Sequence, residues 1–122
     1  MADEGTLATT AEVLLAIGEN AEANQILEAN TNIWIKWAEG EMSGIAGVDL
    51  VTNYGSVTTI FKRFLAAMAA NRAATYGINQ SQNTWQLATS QSKLNVFDSN
   101  WRAGVKVLEK QDMLKRMGLS RT

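Results

Sequence analysis

Arg102, Lys106 and Lys110 stand four residues apart, so on a helix they form one basic stripe, a spacing that suits contact with backbone phosphates. The acids offer less. Glu39 and Glu41 are two apart, which on a helix turns them to different faces, and Glu12, Glu28 and Asp49 are scattered. The chain has no cysteine and no histidine, which removes disulfides, thiol nucleophiles, the usual zinc ligand sets and any histidine-based triad. It holds neither a Walker A sequence nor a GxGxxG motif. Its serines and lysines lack a neighbour that would activate them. The expectation is a protein without catalysis, cofactor or metal.

Whole-chain charge weakens the phosphate reading of the stripe. The net charge is −1 and the sequence pI is near 5.4, low for a domain that reads DNA. Glu109 and Asp112 sit beside the basic residues. The charge is also uneven: residues 1–50 carry nine acids and one base, residues 93–122 seven bases and three acids. Such polarity could orient a subunit among like subunits or aim one end at an acidic partner; ordinary solvated helix faces would give it too.

The elements that carry these residues read as helices. A chain of 122 residues, 46% hydrophobic and free of proline, suits one helical domain with one modest core. Residues 1–8 are expected to be flexible. Thr9 and Glu12 have the spacing of a capping box, Val13, Leu14 and Ile17 share a side, and Gly18 is a stop. A second helix after Asn20 puts Ile26, Ile33, Trp37 and Gly40/Gly44 near one line, widened by Leu27, Trp34, Met42 and Ile45. Gly40 either marks close approach of another helix across Gly40-x-x-x-Gly44, or is tolerated while Gly44 or Gly47 ends the helix. Asp49, Asn53, Gly55 and Ser56 form turns, with Ser56 as a candidate N-cap.

The third helix, Val57 to Tyr76, has Val57, Ile60, Phe61, Phe64, Leu65, Met68 and Tyr76 as its apolar face, with Gly77 and Ile78 at its end. Its other face holds Lys62, Arg63, Ala66, Ala70, Ala73 and Ala74. Alanine needs no function there, yet a wall of small side chains is also a surface for a neighbour's helix. Residues 79–92 read as a polar connecting segment in which Trp85 is either tucked onto the core or free for a partner. The last helix runs from Leu94 to Met117 through Phe97, Trp101, Val105 and Leu108, and ends in a short basic tail, 118–122. The expected class is all-α, a bundle of about four helices. The N-terminus "MADEGTLATT" is acidic, unlike a secretory signal, and no apolar run approaches 18 residues, so the expected setting is cytoplasmic with no membrane span.

The helix order and the stretches "AEVLLAIGEN", "IWIKWAEGEMSGIAGVDLVTNYGSV", "IFKRFLAAMAANRAATYGI" and "WRAGVKVLEKQDMLKR" resemble the head–tail adaptor (connector) proteins of tailed bacteriophages over about residues 10 to 117. The resemblance lies in helix order, length and pattern and contains no invariant chemical motif. It implies a structural virion protein of the neck, assembled in the host cytoplasm. Such adaptors form a ring, commonly twelvefold, under the portal protein, extend the DNA channel and offer a surface to tail or stopper proteins. It implies that the face of Lys62, Arg63, Ala66, Ala70, Ala73 and Ala74 packs against the next subunit. It implies that the C-terminal segment, with Leu108, Met113, Leu114, Met117 and Leu119, docks on the portal. Some adaptors carry a longer C-terminal extension than this chain. The alternative is a small helical DNA-associated phage protein, a terminase small subunit or a regulator, using Arg102, Lys106 and Lys110. A third reading is a helical interaction domain of no known system.

Overall fold

Thr9 and Glu12 close the capping box that their spacing predicts. The Glu12 backbone N–H donates to Thr9 Oγ1 at 3.2 Å, and the Thr9 N–H donates to Glu12 Oε1 at 2.9 Å, so two free donors of the first turn are satisfied. This starts α1, Thr10–Ile17, in a computed structural model that describes residues 4–17, 28–80 and 87–119. The other helices are α2 (Glu28–Ala46), α3 (Thr59–Gln80), α4 (Leu87–Glu109) and α5 (Gln111–Met117), with a 3₁₀ turn at Tyr54–Ser56. No strand occurs among the described residues, and the class is all-α. Gly18, Asn20, Ile26, Leu27 and Trp85 lie outside the described residues.

The long helix α3 is the centre, packed against α1, α2 and α4. Its contacts set the directions. Glu41 meets Arg72 and Trp37 meets Tyr76, so α2 and α3 are antiparallel. Gly104 meets Met68 and Trp101 meets Arg72, so α4 is antiparallel to α3 as well. Gly77 lies against Ile17 and Trp34, which places the end of α1 and the start of α2 at the same end of the bundle.

The alanine wall faces inward. Ala69, Ala70, Ala73 and Ala74 are buried in the core with Val13, Ile17, Ile35 and Met42. This corrects the expectation that Ala70, Ala73 and Ala74 form a subunit seam: the neighbours that pack on the small side chains belong to the same chain. Gly77 fits the same account. It lies inside the helix rather than ending it, because a Cβ there would come within 3.0 Å of Trp34 Cζ3 and 3.2 Å of Ile17 Cδ1.

Helix α2 buries Trp34, Ile35, Ala38, Met42 and Ala46 together with Thr31, Asn32 and Glu39. The expected line of Ile33, Trp37 and Gly40/Gly44 is on the outside, with Ile33 44% and Trp37 49% exposed. Among the described residues, nothing beyond the helix's own backbone and the adjacent residues lies within 4 Å of a Cβ built at Gly40 or Gly44. Gly47 ends the helix at a φ of 71°, a conformation costly for residues with a Cβ. The turn that follows is built by Asp49, whose Oδ1 accepts from the N–H groups of Val51 and Thr52, both at 3.1 Å. The long helix then begins at Thr59, later than a cap at Ser56 would place it.

Residues 4–8 are not loose. Residues 4–8 lie along α2 as a strap: Leu7 and Ala8 are buried, and Gly5 is close to Ile35. The N–H groups of Thr6 and Leu7 both donate to Glu39 Oε2 at 2.6 Å. The Glu4 N–H donates to Asn32 Oδ1 at 3.1 Å, and Lys36 Nζ donates to Glu4 Oε1 at 2.9 Å. This overturns the expectation of flexibility for residues 4–8.

The hydrogen bond and positive charge of Lys36 hold the Glu4 carboxyl below its ordinary range. A lowered folded-state value means that the link's contribution is whole above the ordinary carboxylate range and fades as pH falls through the lowered value. We expect an NMR titration of the Glu4 carboxyl carbon to show this value rise toward the ordinary one in Lys36→Ala. An unchanged titration would mean that the pair does not form in solution.

The polar segment expected at 79–92 is helical at 79–80 and at 87–92, and residues 81–86 lie outside the described residues. The expected last helix is two. Lys110 is extended, with φ −83° and ψ 119°, and breaks α4 from α5. Helix α5 ends in a Schellman arrangement in which the Leu119 N–H donates to Leu114 O at 2.9 Å and Gly118 has a φ of 89°. A Cβ at Gly118 would lie 2.5 Å from Ser56 O, so the chain end is pressed against the turn before α3.

Candidate functional site

Leu108, Leu114 and Leu119 are buried. They were expected to meet a portal; the bundle uses them to seat α4, α5 and the Schellman end on its own core, and they offer no free docking surface in this fold. Met113 is partly buried, and the Met117 side chain lies outside the description. Within the tail, Leu119 is buried. Lys115 and Arg116, in the last turn of α5, are exposed.

The basic stripe is at the surface but is not a simple positive row. Arg102 pairs with Asp98 at 3.0 Å in the same helix. Asp98 and Glu109 line a shallow depression with Trp101, Arg102, Val105 and Lys106, so charges of both signs share it. Lys110 falls at the helix break and leaves the regular spacing. Exposed pairs of this kind contribute little to stability, and here Asp98 offsets one of the stripe's three positive charges.

Of the expected seam, Lys62, Arg63 and Ala66 remain at the surface, with Lys62 and Ala66 partly buried. Lys62 Nζ lies 4.8 Å from the centre of the Tyr54 ring, a cation–π contact. These residues border a cleft of about 290 Å³ that the strap, Thr9 and Glu12 also line. Glu12 is already engaged in its capping box, so the cleft does not present a free acid beside its two cations. No group of three or more His, Cys, Asp or Glu side chains that could hold a metal occurs among the described residues. Nor is any described helix long and apolar enough to cross a membrane.

What the molecule does present is apolar side chains in solvent on different sides. On α3, Ile60 is 78% exposed, Arg63 and Ala67 are exposed, and Phe64 is half-buried. These positions follow the i, i+3, i+4, i+7 pattern and form one ridge. On α2, Ile33, Trp37, Gly40 and Gly44 form a second row, opposite the face that carries Met42. Leu15 on α1 and Val96 on α4 are exposed singly.

The α2 row has a rigid base. Trp37 packs edge-on against Tyr76, ring centres 5.3 Å apart and planes at 79°. The Tyr76 hydroxyl donates to Glu41 Oε1. Arg72 holds the same carboxylate with both arms, Nε to Oε1 at 3.2 Å and Nη2 to Oε2 at 2.8 Å, and stacks 4.4 Å from the Trp101 ring centre. Glu39 and Glu41 do point to different faces, one to the strap and one to Arg72, as their spacing requires.

Sequence reading missed the ridge because Ile60 and Phe64 satisfy the apolar period of α3 as well as its true core positions do. It found the α2 row but put it inside. The signal available was the competing set Trp34, Ile35, Ala38 and Met42 on the same helix, since two opposite rows cannot both face one core. Comparisons with family models, curated proteins and solved structures return no match for this chain.

Proposed function

We propose that this chain is a structural, non-catalytic subunit of a tailed-bacteriophage neck: a head–tail adaptor. It joins copies of itself in a ring on the portal protein, extends the channel through which packaged DNA passes, and offers a surface to tail or stopper proteins. The observation that carries the reading is the pair of exposed apolar rows on separate sides of the bundle, Ile60 with Ala67 and Ile33 with Trp37. A ring built from identical subunits needs two different surfaces on each, and large exposed apolar side chains in rows mark contact sites better than single ones do. Helix order and the quoted stretches agree with the adaptor pattern. The inward alanine wall and the buried Leu108, Leu114 and Leu119 leave the assembly reading intact but move its contacts elsewhere.

The alternative, a DNA-associated protein, gains nothing from the geometry of Arg102, Lys106 and Lys110, with Asp98 and Glu109 among them. Native mass spectrometry of the chain alone, and mixed with the portal protein of the genome that encodes it, separates the two. A complex with one copy per portal subunit supports the adaptor. A monomer that ignores the portal and instead binds duplex DNA with steep salt dependence overturns it.

A further inference from the structure

We infer that the face of α2 beneath the strap is a recognition site for a short peptide segment of the pattern acid–glycine–any–leucine. The chain's own Glu4, Gly5, Thr6 and Leu7 fill it as a built-in competitor for the matching segment of a partner protein.

The face is made to read a backbone. Asn32 is 1% exposed and Glu39 5%. Burying an amide and a carboxylate on a helix costs free energy unless partners meet them, and apolar side chains would serve core packing alone. Both groups aim at main-chain donors: Asn32 Oδ1 accepts the Glu4 N–H, and Glu39 Oε2 accepts the N–H groups of Thr6 and Leu7. Two successive N–H groups reach one oxygen only where the chain bends, as it does at Thr6 and Leu7. Any segment that bends in this way carries the same donors. These bonds therefore supply affinity, and the side chains between them supply the choice of sequence.

Each side chain of the segment meets a different test. The Glu4 carboxylate meets Lys36 Nζ at 2.9 Å and Asn32 Nδ2 at 3.4 Å, which favours an acid. A Cβ on Gly5 would run into Cγ2 of the buried Ile35 and lie 3.0 Å from Ala8 O, so the position takes only glycine. The Thr6 side chain is exposed and is not selected. Leu7 is 2% exposed and joins the core cluster, so an apolar side chain of that size is needed.

The resident segment can be displaced without opening α1. The Thr9/Glu12 box closes that helix with no group from residues 4–7. Its tether gives the resident segment an effective concentration on the order of mM. A partner's segment takes the site where the resident one is kept from seating, or where assembly presents the partner at a higher local concentration.

The probe is the capped peptide MADEGTLATT, residues 1–10 of this chain, labelled and followed by fluorescence anisotropy. In the full chain, Gly5→Val unseats the resident segment and leaves the α2 face unchanged. The expected result is saturable binding at least tenfold tighter than to the parent chain. Valine for the glycine of the peptide, or Glu39→Ala added to the Gly5→Val chain, is expected to weaken it at least tenfold. A milder variant, Glu4→Gln, frees Lys36 without a clash. Zero-length carbodiimide coupling is then expected to join the peptide's glutamate to Lys36 at least tenfold more than to Lys62 or Lys106, and this result decides alone if Gly5→Val fails to fold. A folded Gly5→Val chain that does not bind the peptide, or binds its valine form equally well, overturns the inference. So does coupling spread evenly over the lysines: the face would then serve its own tethered strap and nothing else.

Discussion

Glu39→Ala is expected to lower the stability of the free chain by about 3 kcal/mol. Glu39 is buried, and its Oε2 accepts the N–H groups of Thr6 and Leu7, both at 2.6 Å. Bonds to a charged acceptor are each worth roughly 1.5–3 kcal/mol, and the buried Leu7 N–H would be left without an acceptor. The loss has a ceiling, because the strap can leave. Residues 4–8 then surrender the burial of Leu7 and Ala8 and stop, while the helices behind them persist. Glu39→Gln is the informative companion. Both donors use one oxygen, so an amide oxygen can keep the geometry while losing the charge, at a cost of about 1 kcal/mol. Urea denaturation gives the two values, and limited proteolysis shows whether cleavage moves to residues 4–8. An alanine variant within about 0.5 kcal/mol of the parent would show that the strap is not held this way.

Leu108→Ala is expected to cost a similar amount, about 3 kcal/mol, within the 2–5 kcal/mol common for a fully buried leucine. The side chain has no exposure and sits one turn beyond Gly104, where α4 comes so close to α3 that a Cβ on the glycine would lie 2.6 Å from Met68 Sδ. Two packed helices held at that distance cannot collapse into the vacated volume, so most of the cavity remains. The result discriminates between two roles. A leucine kept for docking leaves the stability of the free chain nearly unchanged when truncated and weakens only the complex; a core leucine lowers the melting temperature before any partner is added. Lys115→Ala and Arg116→Ala, both exposed on α5, serve as the comparison and should stay within about 0.5 kcal/mol. A Leu108→Ala variant as stable as these two would return the residue to the docking surface.

Local rules carried the sequence reading where the physics was local. The Thr9/Glu12 box, the stop at Gly47 and the turn around Asp49 each depend on neighbours three or four residues away, and all three are in place. The fold class followed from composition and period. Placement of faces did not, because both α2 and α3 carry apolar residues nearly all round, and period alone does not say which arc is inside. On α3 the buried arc joins the small Ala69, Ala70, Ala73 and Ala74, which let neighbouring helices come close, to the large Leu65, Met68 and Ile78, while Ile60 is left out. Gly77 looked like a terminus because glycine often is one; its use in packing against Trp34 is visible only once α2 is laid beside it. The strap was illegible for a plainer reason. Its partners are some thirty residues away, and no local pattern announces that Glu39 will bond to backbone rather than to solvent.

That separation has a consequence for the order in which the molecule folds. Asn32, Lys36 and Glu39, the three residues that hold the strap, follow i, i+4, i+7 spacing and fall on one side only when that part of the chain is helical. Residues 4–8 precede α2 in the chain, yet their binding surface does not exist until that helix has wound, so closure of the strap requires α2 to be in place.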